Sequence, residues 1–533
     1  QTAAIAQSVI PEQAQALTFT ERDLASPIYQ RLRREFDAVS GSLGMGGVYT
    51  VARRDGAYLF GPESFGAGTP LASQPGTPYR EPPPALERAF ASGRPQLTPL
   101  YTDEFGTAMS AYVPVVQPLT GEVLLVVGSD LHIPRWRDER ARAAAAVLGF
   151  TGGVLLLLVA GGIVLCRRPP LSAASPGWQR HAEAVWCATV LLVLTAAIAW
   201  RLHYAESHIR RATFRAMAQQ QTLAVARELW GIRSSLAGLS RSFRSSRDVS
   251  RREFAEYASR FLTDYAIQAA LWLPAVPPGA VAALEAEAAT DGIEGYRVWQ
   301  GDPAATPAAA AGREVYYPLH YIEPFAPHAL AAGFDHGSEP TRARALQTTL
   351  DTGLMSGSDP VSLFAMTNRP PGFFVYQKTT SQTQTGAVAF AVNLDAVVRV
   401  PMNRVVALPG EFLIADLYQI EPGREPIFLT STDAAHARAG APGDLHTEAG
   451  GIGMTLPIFA FGQTYAAVMH ASRGWLAAYP MRHGLHAALG GLILAAALTL
   501  LVGFLSQRRF HLEQEVSART DELRIAHDKL TGI

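Results

Sequence analysis

Three long apolar runs punctuate the chain. Ala143–Cys166, Ala184–Trp200 and Leu485–Ser506 contain no acidic or basic residue apart from His486. A bilayer core of about 30 Å needs roughly 20 apolar residues at about 1.5 Å per residue, so three membrane helices are expected. Arg167 and Arg168 close the first run, Arg508 and Arg509 follow the third, and Trp186 and Trp200 stand as interfacial anchors of the shortest. Small residues at four-residue spacing, Gly149 and Gly153 in the first run and Ala487, Gly491 and Ala495 in the third, permit close helix contact.

Between these runs the period changes. Leu202, Ile209, Ala216, Leu223 and Trp230 recur every seven positions, and the pattern then tightens to Leu229, Ile232, Leu236, Leu239 and Phe243. That spacing predicts a long amphipathic stalk helix over 201–250 that continues the preceding span. Short β-like runs follow at 270–276, 314–322, 371–377 and 386–392, with a helix over Pro340–Thr352 stopped by Gly353. A second strand set reads at 412–418, 426–432 and 463–471.

The front of the chain, 18–133, shows the same texture. A helix at Ala25–Val39 precedes strands either side of a turn at Asp55–Gly56, a helix at Pro84–Ser92, and strands within 98–118 and 122–131. The fold class is therefore α+β domains combined with transmembrane α-helices, a stalk helix and a helical tail.

Charge and cysteine content narrow the picture further. Across 533 residues the formal net charge is −1, which gives no reason to expect a nucleic-acid partner. Cys166 and Cys187 both lie in or at the edge of apolar runs, so neither a disulfide framework nor a catalytic thiol is available to the domains outside the membrane. Arginines flank both ends of the first two runs (Arg135, Arg137, Arg140 and Arg142; Arg201, Arg210 and Arg211), so the positive-inside rule does not decide topology. Domain identity gives the expected order: an extracytoplasmic domain at 1–142, a span at 143–166, a cytoplasmic loop at 167–183, a span at 184–200, an extracytoplasmic domain at 201–484, a span at 485–506 and a cytoplasmic coiled coil at 507–533. With Gln1 first and no signal sequence before it, this topology expects one further span upstream.

The run Tyr316–Leu346, YYPLHYIEPFAPHALAAGFDHGSEPTRARAL, followed by DTGLMSGSDPVSL at 351–363, resembles the CHASE family, with its Y-x-E-P, GFD-x-x-SEP-x-R and TG words in order. The resemblance covers about 254–400, with a further subdomain expected at about 401–480. It implies an extracytoplasmic sensor of small molecules in a PAS-like distal subdomain. Tyr317 and Tyr321 are expected on one strand face, suited to an apolar pocket with polar anchors. Phe334 and Asp335 are expected at the end of the next strand, and Ser358, Phe364, Phe374 and Tyr376 fall where the family lines its cavity. The chain departs from the family at Ala275, at Ala280–Val281, at Thr341 and at Lys378–Thr380. Thr341 stands near the place of the acidic residue with which plant members hold cytokinin, which argues against that ligand.

The front domain resembles the Cache class through its Y-x-D-x-x-G, S-A-Y-x-P-V and V-G-x-D words at 101–130. Arg53, Tyr58, Tyr101, Asp103, Tyr112 and Asp130 are its candidate ligand-facing groups, and an Arg–Asp pair among them could clamp a zwitterion.

In the tail, Leu512, Val516, Arg519, Leu523, Ala526 and Leu530 follow the spacing of a parallel coiled coil, implying a homodimer. Asp528–Ile533, DKLTGI, resembles the opening of the GGDEF diguanylate cyclase domain, with a histidine kinase as the alternative output. No catalytic motif stands in the chain, and no cofactor or metal is expected. His320, His328 and His336, eight apart, are read as surface or strand-end residues. A transporter would need charged residues within its spans, and an adhesion protein has no use for a heptad tail. The partners expected are an unidentified small ligand, the lipid bilayer of a bacterial inner membrane and a second copy of the chain.

Overall fold

The computed structural model describes all residues except 67, 70, 132, 168–180, 246–248, 302–307, 364–370, 382, 406–411, 440–444, 446–450 and 532–533. For 131–143, 146–147, 165, 404–405 and 528–531 only the backbone is described. Phe364, most of the loop expected at 167–183, and the last two residues of DKLTGI thus lie outside the described residues. The chain divides into two compact units, Gln1–Ile133 with Phe214–Leu476, and Pro134–Thr213 with Ala477–Ile533.

The first unit is α+β and contains three main antiparallel sheets. In the front sheet β1 (Val48–Arg54), β2 (Ala57–Glu63), β3 (Gln96–Leu97), β4 (Tyr101–Asp103), β5 (Gly106–Val116) and β6 (Val123–Leu131) run in the order β2-β1-β6-β5-β3, with β4 also on β5. The second sheet takes β7 (Ile267–Pro274), then, past a short β8 (Trp299–Gln300) and β9 (Ala308–Ala309) pair, β10 (Tyr321–Glu323), β11 (Ser356–Gly357), β12 (Val361–Ser362), β13 (Pro371–Thr380) and β14 (Thr385–Asn393). Its order is β10-β7-β14-β13-β11. The third comprises β15 (Leu413–Ile420), β16 (Ile427–Ser431), β17 (Gly453–Ala460) and β18 (Gln463–Ala471), ordered β16-β15-β18-β17. In each sheet the first strand lies between the second and the last, the PAS-like arrangement.

The third sheet is apolar on both faces. Leu413, Ala415, Leu417, Ile458, Tyr465, Ala467 and Met469 face a core shared with the stalk helix and the second sheet. The alternate residues Tyr418, Ile420, Phe459, Ala466 and Val468 face a core shared with the front domain. A continuous apolar run such as YAAVM is what a strand covered on both sides requires. Phe36, on the front-domain helix Pro27–Leu43, meets Phe459 with ring centroids 6.1 Å apart. Two short helices, Thr2–Ser8 and Pro11–Ala16, add Ile5, Ala6 and Ala14 to the same core. Sequence reading began the front domain at residue 18 and missed both helices, which carry only six or seven residues each and little periodic signal. It also missed β17, an edge strand that carries Pro457 within its ladder.

The stalk is one unbroken helix, Ala182–Ser245. Leu229, Ile232, Leu236, Leu239 and Phe243 are buried as their spacing predicts. The upstream sevenfold stripe is not the buried face: Leu202 and Ile209 are exposed, whereas Phe214, Ala218 and Val225 are buried. A straight helix of about 3.6 residues per turn drifts relative to a sevenfold repeat, so core contact moves to another set of positions. Phe214 packs edge-on against the fully buried Trp475 at 5.5 Å.

The expected strand at 314–322 is not continuous. Only Tyr321–Glu323 pairs as a strand, while Tyr316 and Pro318 make isolated bridges to Val276 and Asp335. Pro318 interrupts the ladder because it has no N–H to donate. Phe334 and Asp335 likewise sit in isolated bridges and end no strand.

Among the described residues, two helices are long and apolar enough to cross a membrane, within Ala182–Ser245 and within Arg473–His527. Leu148–Val164 is a shorter apolar stretch of the helix Ile133–Cys166. The apolar side chains are turned outward, with Ile493 73% and Leu500 74% exposed. At Gly491 a Cβ would meet the Thr195 side chain at 2.4 Å, so this glycine permits helix contact within one chain. Gly149 and Gly153 have no neighbour within 4 Å. His483–Thr531 is a single helix in which Leu512, Val516 and Leu523 are exposed.

Because Phe36 and Phe459 belong to one core, the front domain and the third sheet should unfold together. Phe459→Ala is expected to cost about 3–5 kcal/mol and to shift a single urea transition reported by both parts. Two separated transitions, with the front domain unmoved, would contradict the shared core.

Candidate functional site

The GFDHGSEPTR run is built for architecture. Gly333 has φ 80°, and a Cβ there would lie 1.9 Å from the Arg297 carbonyl oxygen, so the position excludes a side chain. Asp335 Oδ1 accepts hydrogen bonds from the backbone N–H groups of Tyr317 (2.8 Å) and Gly337 (3.0 Å), and Arg313 Nε lies 3.4 Å from Oδ2. Burial nonetheless raises its carboxyl above the ordinary range. Glu339 caps the helix Pro340–Thr352, accepting from the N–H groups of Thr341 (3.0 Å) and Arg342 (2.9 Å), with Pro340 in the first turn. Gly353 ends that helix at φ 72°, as its sequence predicts. Arg342 turns back to Glu339 at 3.1 Å and lies over the rings of Phe334 (5.5 Å) and Phe374 (5.0 Å).

Above this layer is a small apolar cavity of about 30 Å³, lined by Leu271, Leu319, His328, His336, Leu363 and Phe374 among others. That volume holds about one water molecule. Tyr376 hydroxyl and His336 Nδ1 are 2.9 Å apart. Burial, reinforced by Arg342, pushes the His336 pKa well down, so its ring is neutral. His320, His328 and His336 are all buried, against the surface alternative, while His320 directly precedes β10, as the strand-end alternative has it. Their apolar neighbours come from strands distant in sequence.

Tyr317 and Tyr321 do not share a face. Tyr321 packs with Phe254 and Phe243 on the stalk side, and its hydroxyl donates to Asp291 at 3.0 Å, whereas Tyr317 packs on the opposite core. The break at Pro318 removes the alternation that would align them. Ser358 is buried, but its hydroxyl donates to the Asp359 carbonyl and accepts from the Phe374 N–H. It lines a different space.

That space is a polar cleft of about 280 Å³, lined by the front-domain helix Pro27–Leu43, the helix Pro340–Thr352, residues 356–359 and the β17–β18 turn. Arg31, Arg34 and Glu35 come from the first of these, Thr341, Arg344 and Thr348 from the second. Arg31 and Glu35 are four apart, on the flank of the Leu32, Phe36, Val39 and Leu43 stripe, and both are buried. Arg31 Nη2 donates to Ser356 Oγ at 3.2 Å. Arg344 pairs with Asp359 at 2.9 Å, and Asp359 also accepts from Gln419 Nε2 at 2.9 Å. Burial pushes the Glu35 carboxyl up to about 7 against the pull of Arg31 and Arg34. Asp359 and Glu421 also line the cleft, so its three arginines stand beside carboxylates. None of the arginines was singled out from sequence, although two charges four apart beside an apolar helical stripe were a legible signal.

In the front domain, Tyr49, Tyr79, Tyr101 and Tyr112 form one hydroxyl network. Tyr101 hydroxyl lies 3.1 Å from that of Tyr112 and 2.8 Å from Ser110 Oγ. Tyr49 (3.0 Å) and Ser110 (2.6 Å) donate to Asp130, and Tyr79 donates to Asp103. Burial raises the pKa of Tyr49, Tyr79 and Tyr112, so all three remain donors. The structure thus brings together Tyr101, Asp103, Tyr112 and Asp130. Arg53 and Tyr58 stand apart, opposite each other near the β1–β2 turn, with the exposed guanidinium 5.9 Å from the ring centroid. Among the described residues Arg53 makes no pair with Asp130, which accepts from the Tyr49 and Ser110 hydroxyls.

Glu35 makes stability pH-dependent with a definite sign. A carboxyl raised from 4.5 to about 7 contributes its full stability below pH 4.5 and loses it as pH rises through 7. The loss is worth up to about 3 kcal/mol. Glu63, also pushed up to about 7 by burial, acts in the same direction. Thermal midpoints should therefore fall between about pH 5 and about pH 8. Glu35→Gln should flatten part of that fall, and parallel wild-type and variant profiles would exclude the assignment.

Residues 247–407 match the CHASE domain model. Comparison with curated proteins returned no match. Among solved structures, the periplasmic sensory domain of the Campylobacter jejuni chemoreceptor Tlp1 is similar at 10% identity and TM-score 0.28, over 50% of this chain and 95% of that one. The ligand-binding domain of the Pseudomonas aeruginosa PAO1 amino acid chemoreceptor PctB, in complex with L-Gln, gives 13% and 0.31 over 54% and 98%. The extracellular domain of the putative histidine kinase mmHK1S-Z3 gives 12% and 0.29 over 50% and 95%. The family assignment rests on the sequence model together with the second sheet, whose Gly333 turn, Glu339 cap and stacked Arg342 all fall inside the matched residues. The chain carries a CHASE domain at 247–407.

Proposed function

We infer that this chain is the sensory part of a bacterial multi-pass membrane receptor, which binds a small carboxylate-bearing ligand outside the cytoplasm and passes the signal through continuous helices. The observation that carries this reading is the polar cleft, where the front domain, the CHASE domain and the third sheet all supply walls. A carboxylate there would meet Arg31, Arg34 and Arg344 at once, and charge-assisted pairs with arginine are among the stronger polar contacts. Because the walls belong to separate parts of one unit, a bound anion would favour one arrangement of them over another. The apolar cavity of the CHASE domain, at about 30 Å³, is too small for such a ligand.

The shared core supports the topology. Front domain and third sheet must occupy the same compartment, so the chain between them crosses the membrane an even number of times. If Ala184–Trp200 crosses, the apolar stretch before it crosses too. The exposed Leu512, Val516 and Leu523 stripe favours a parallel dimer of tails. The output is proposed to be a diguanylate cyclase, on the resemblance of Asp528–Ile533, with a histidine kinase as the alternative.

The test is a thermal-shift screen of the full chain in detergent against small carboxylates and amino acids, followed by titration. Arg34→Gln and Arg344→Gln, both at exposed positions, should each weaken the best ligand by roughly tenfold or more. Either the absence of any stabilising ligand or unchanged affinity in both variants would reject the cleft as the site.

A further inference from the structure

Away from the residues that line the cleft, three potential ligands for a metal ion converge in the CHASE domain. Glu287 lies in the helix Val281–Thr290 and Asp291 immediately follows it, four residues on, which brings both carboxylates to one side of a helical turn. His320, just before β10, completes the group, and one ligand atom from each residue lies within 4.8 Å of the others. The sequence reading dismissed His320 because it looked only for histidine–histidine spacing. The informative signal was the Glu-x-x-x-Asp turn.

His320 is the second observation. Its side chain is 2% exposed, yet neither ring nitrogen has a hydrogen-bond partner. The nearest carboxylate oxygen, on Glu287, is 3.9 Å from Nε2, too far for a hydrogen bond. Buried polar groups are nearly always satisfied, so an imidazole left without a partner points to a missing ligand. The ring is held in place, with Tyr321 at 4.1 Å, Tyr296 edge-on at 5.9 Å and its own backbone N–H donating to Trp272 at 3.0 Å. Tyr321 hydroxyl donates to Asp291 Oδ2, the kind of outer contact that orients a ligating carboxylate. Arg251, the nearby cation, donates to the Asp291 backbone carbonyl at 2.8 Å and lies over the Phe325 ring. Glu287 is half exposed, which leaves an entry path and room for water.

We propose that Glu287, Asp291 and His320 form a divalent-metal site, with one imidazole and two carboxylates as protein ligands and water completing the shell. Mixed nitrogen and oxygen donors in this number suit Zn²⁺. The ion would tie the end of the helix Val281–Thr290 to the start of β10 and so to the second sheet.

The experiment is calorimetric titration of the full chain, stripped with EDTA and held in detergent, with ZnCl₂ alone. One Zn²⁺ per chain is expected, with a rise in melting temperature. Glu287→Gln, at a half-exposed position that folding tolerates, should weaken binding by roughly tenfold or more, and His320→Gln should do the same. His436 Nδ1 and His470 Nε2 lie 3.0 and 3.2 Å from Oδ2 of Asp416 in the third sheet, and His436→Gln, which alters that separate cluster, should leave affinity and stoichiometry unchanged. The proposal is overturned if no stoichiometric Zn²⁺ binds, if Glu287→Gln binds as tightly as the native chain, or if His436→Gln abolishes binding.

Discussion

The third sheet is buried on both faces, and most of the first unit follows from how those faces are covered. Alternate residues of β15, β17 and β18 point into two different cores, so removing either cover would expose a full apolar layer to water. The stalk helix supplies one cover through Leu229, Ile232 and Leu236, and the front domain supplies the other through Phe36 and Val39. Residues separated by more than 400 positions in the chain therefore fold against each other.

The cleft is a by-product of this packing. Bringing the helix Pro27–Leu43 onto β18 carries Arg31 and Glu35 toward the end of the helix Pro340–Thr352, where Ser356 and Asp359 stand. The apolar stripe on the front-domain helix makes the contact, and the charges on its flank become the wall. Burial then pushes the Glu35 carboxyl up to about 7, against the pull of Arg31 and Arg34. Structure and electrostatics here have one cause.

The CHASE motif residues play a different part. Gly333, Asp335, Glu339 and Arg342 fix the backbone course from the 316–323 segment into the helix Pro340–Thr352. Their side chains are spent on backbone N–H groups and on each other, and the small cavity beside them is lined mostly by aliphatic residues, Phe374 and two buried histidines. A family signature of this sort marks a scaffold. His320, whose ring nitrogens find no hydrogen-bond partner among the described residues, stands immediately before the Y-x-E-P word.

The sequence by itself determined the apolar helices, the α+β class, the helix Pro340–Thr352 with its glycine stop and the lower half of the stalk stripe, because each depends on local periodicity or on a backbone rule at a single residue. Local pattern misjudged the strand at 314–322, where Pro318 cuts the ladder, and the faces of Tyr317 and Tyr321 with it. It also left the burial of His320, His328 and His336 undecided between surface and strand-end positions. Only the tertiary structure decided that the front domain shares a core with the third sheet, that Arg31 meets Ser356 and that His320 faces Glu287 and Asp291. Those pairings join residues about thirty to more than three hundred positions apart, and no short-range pattern encodes which apolar face will cover which.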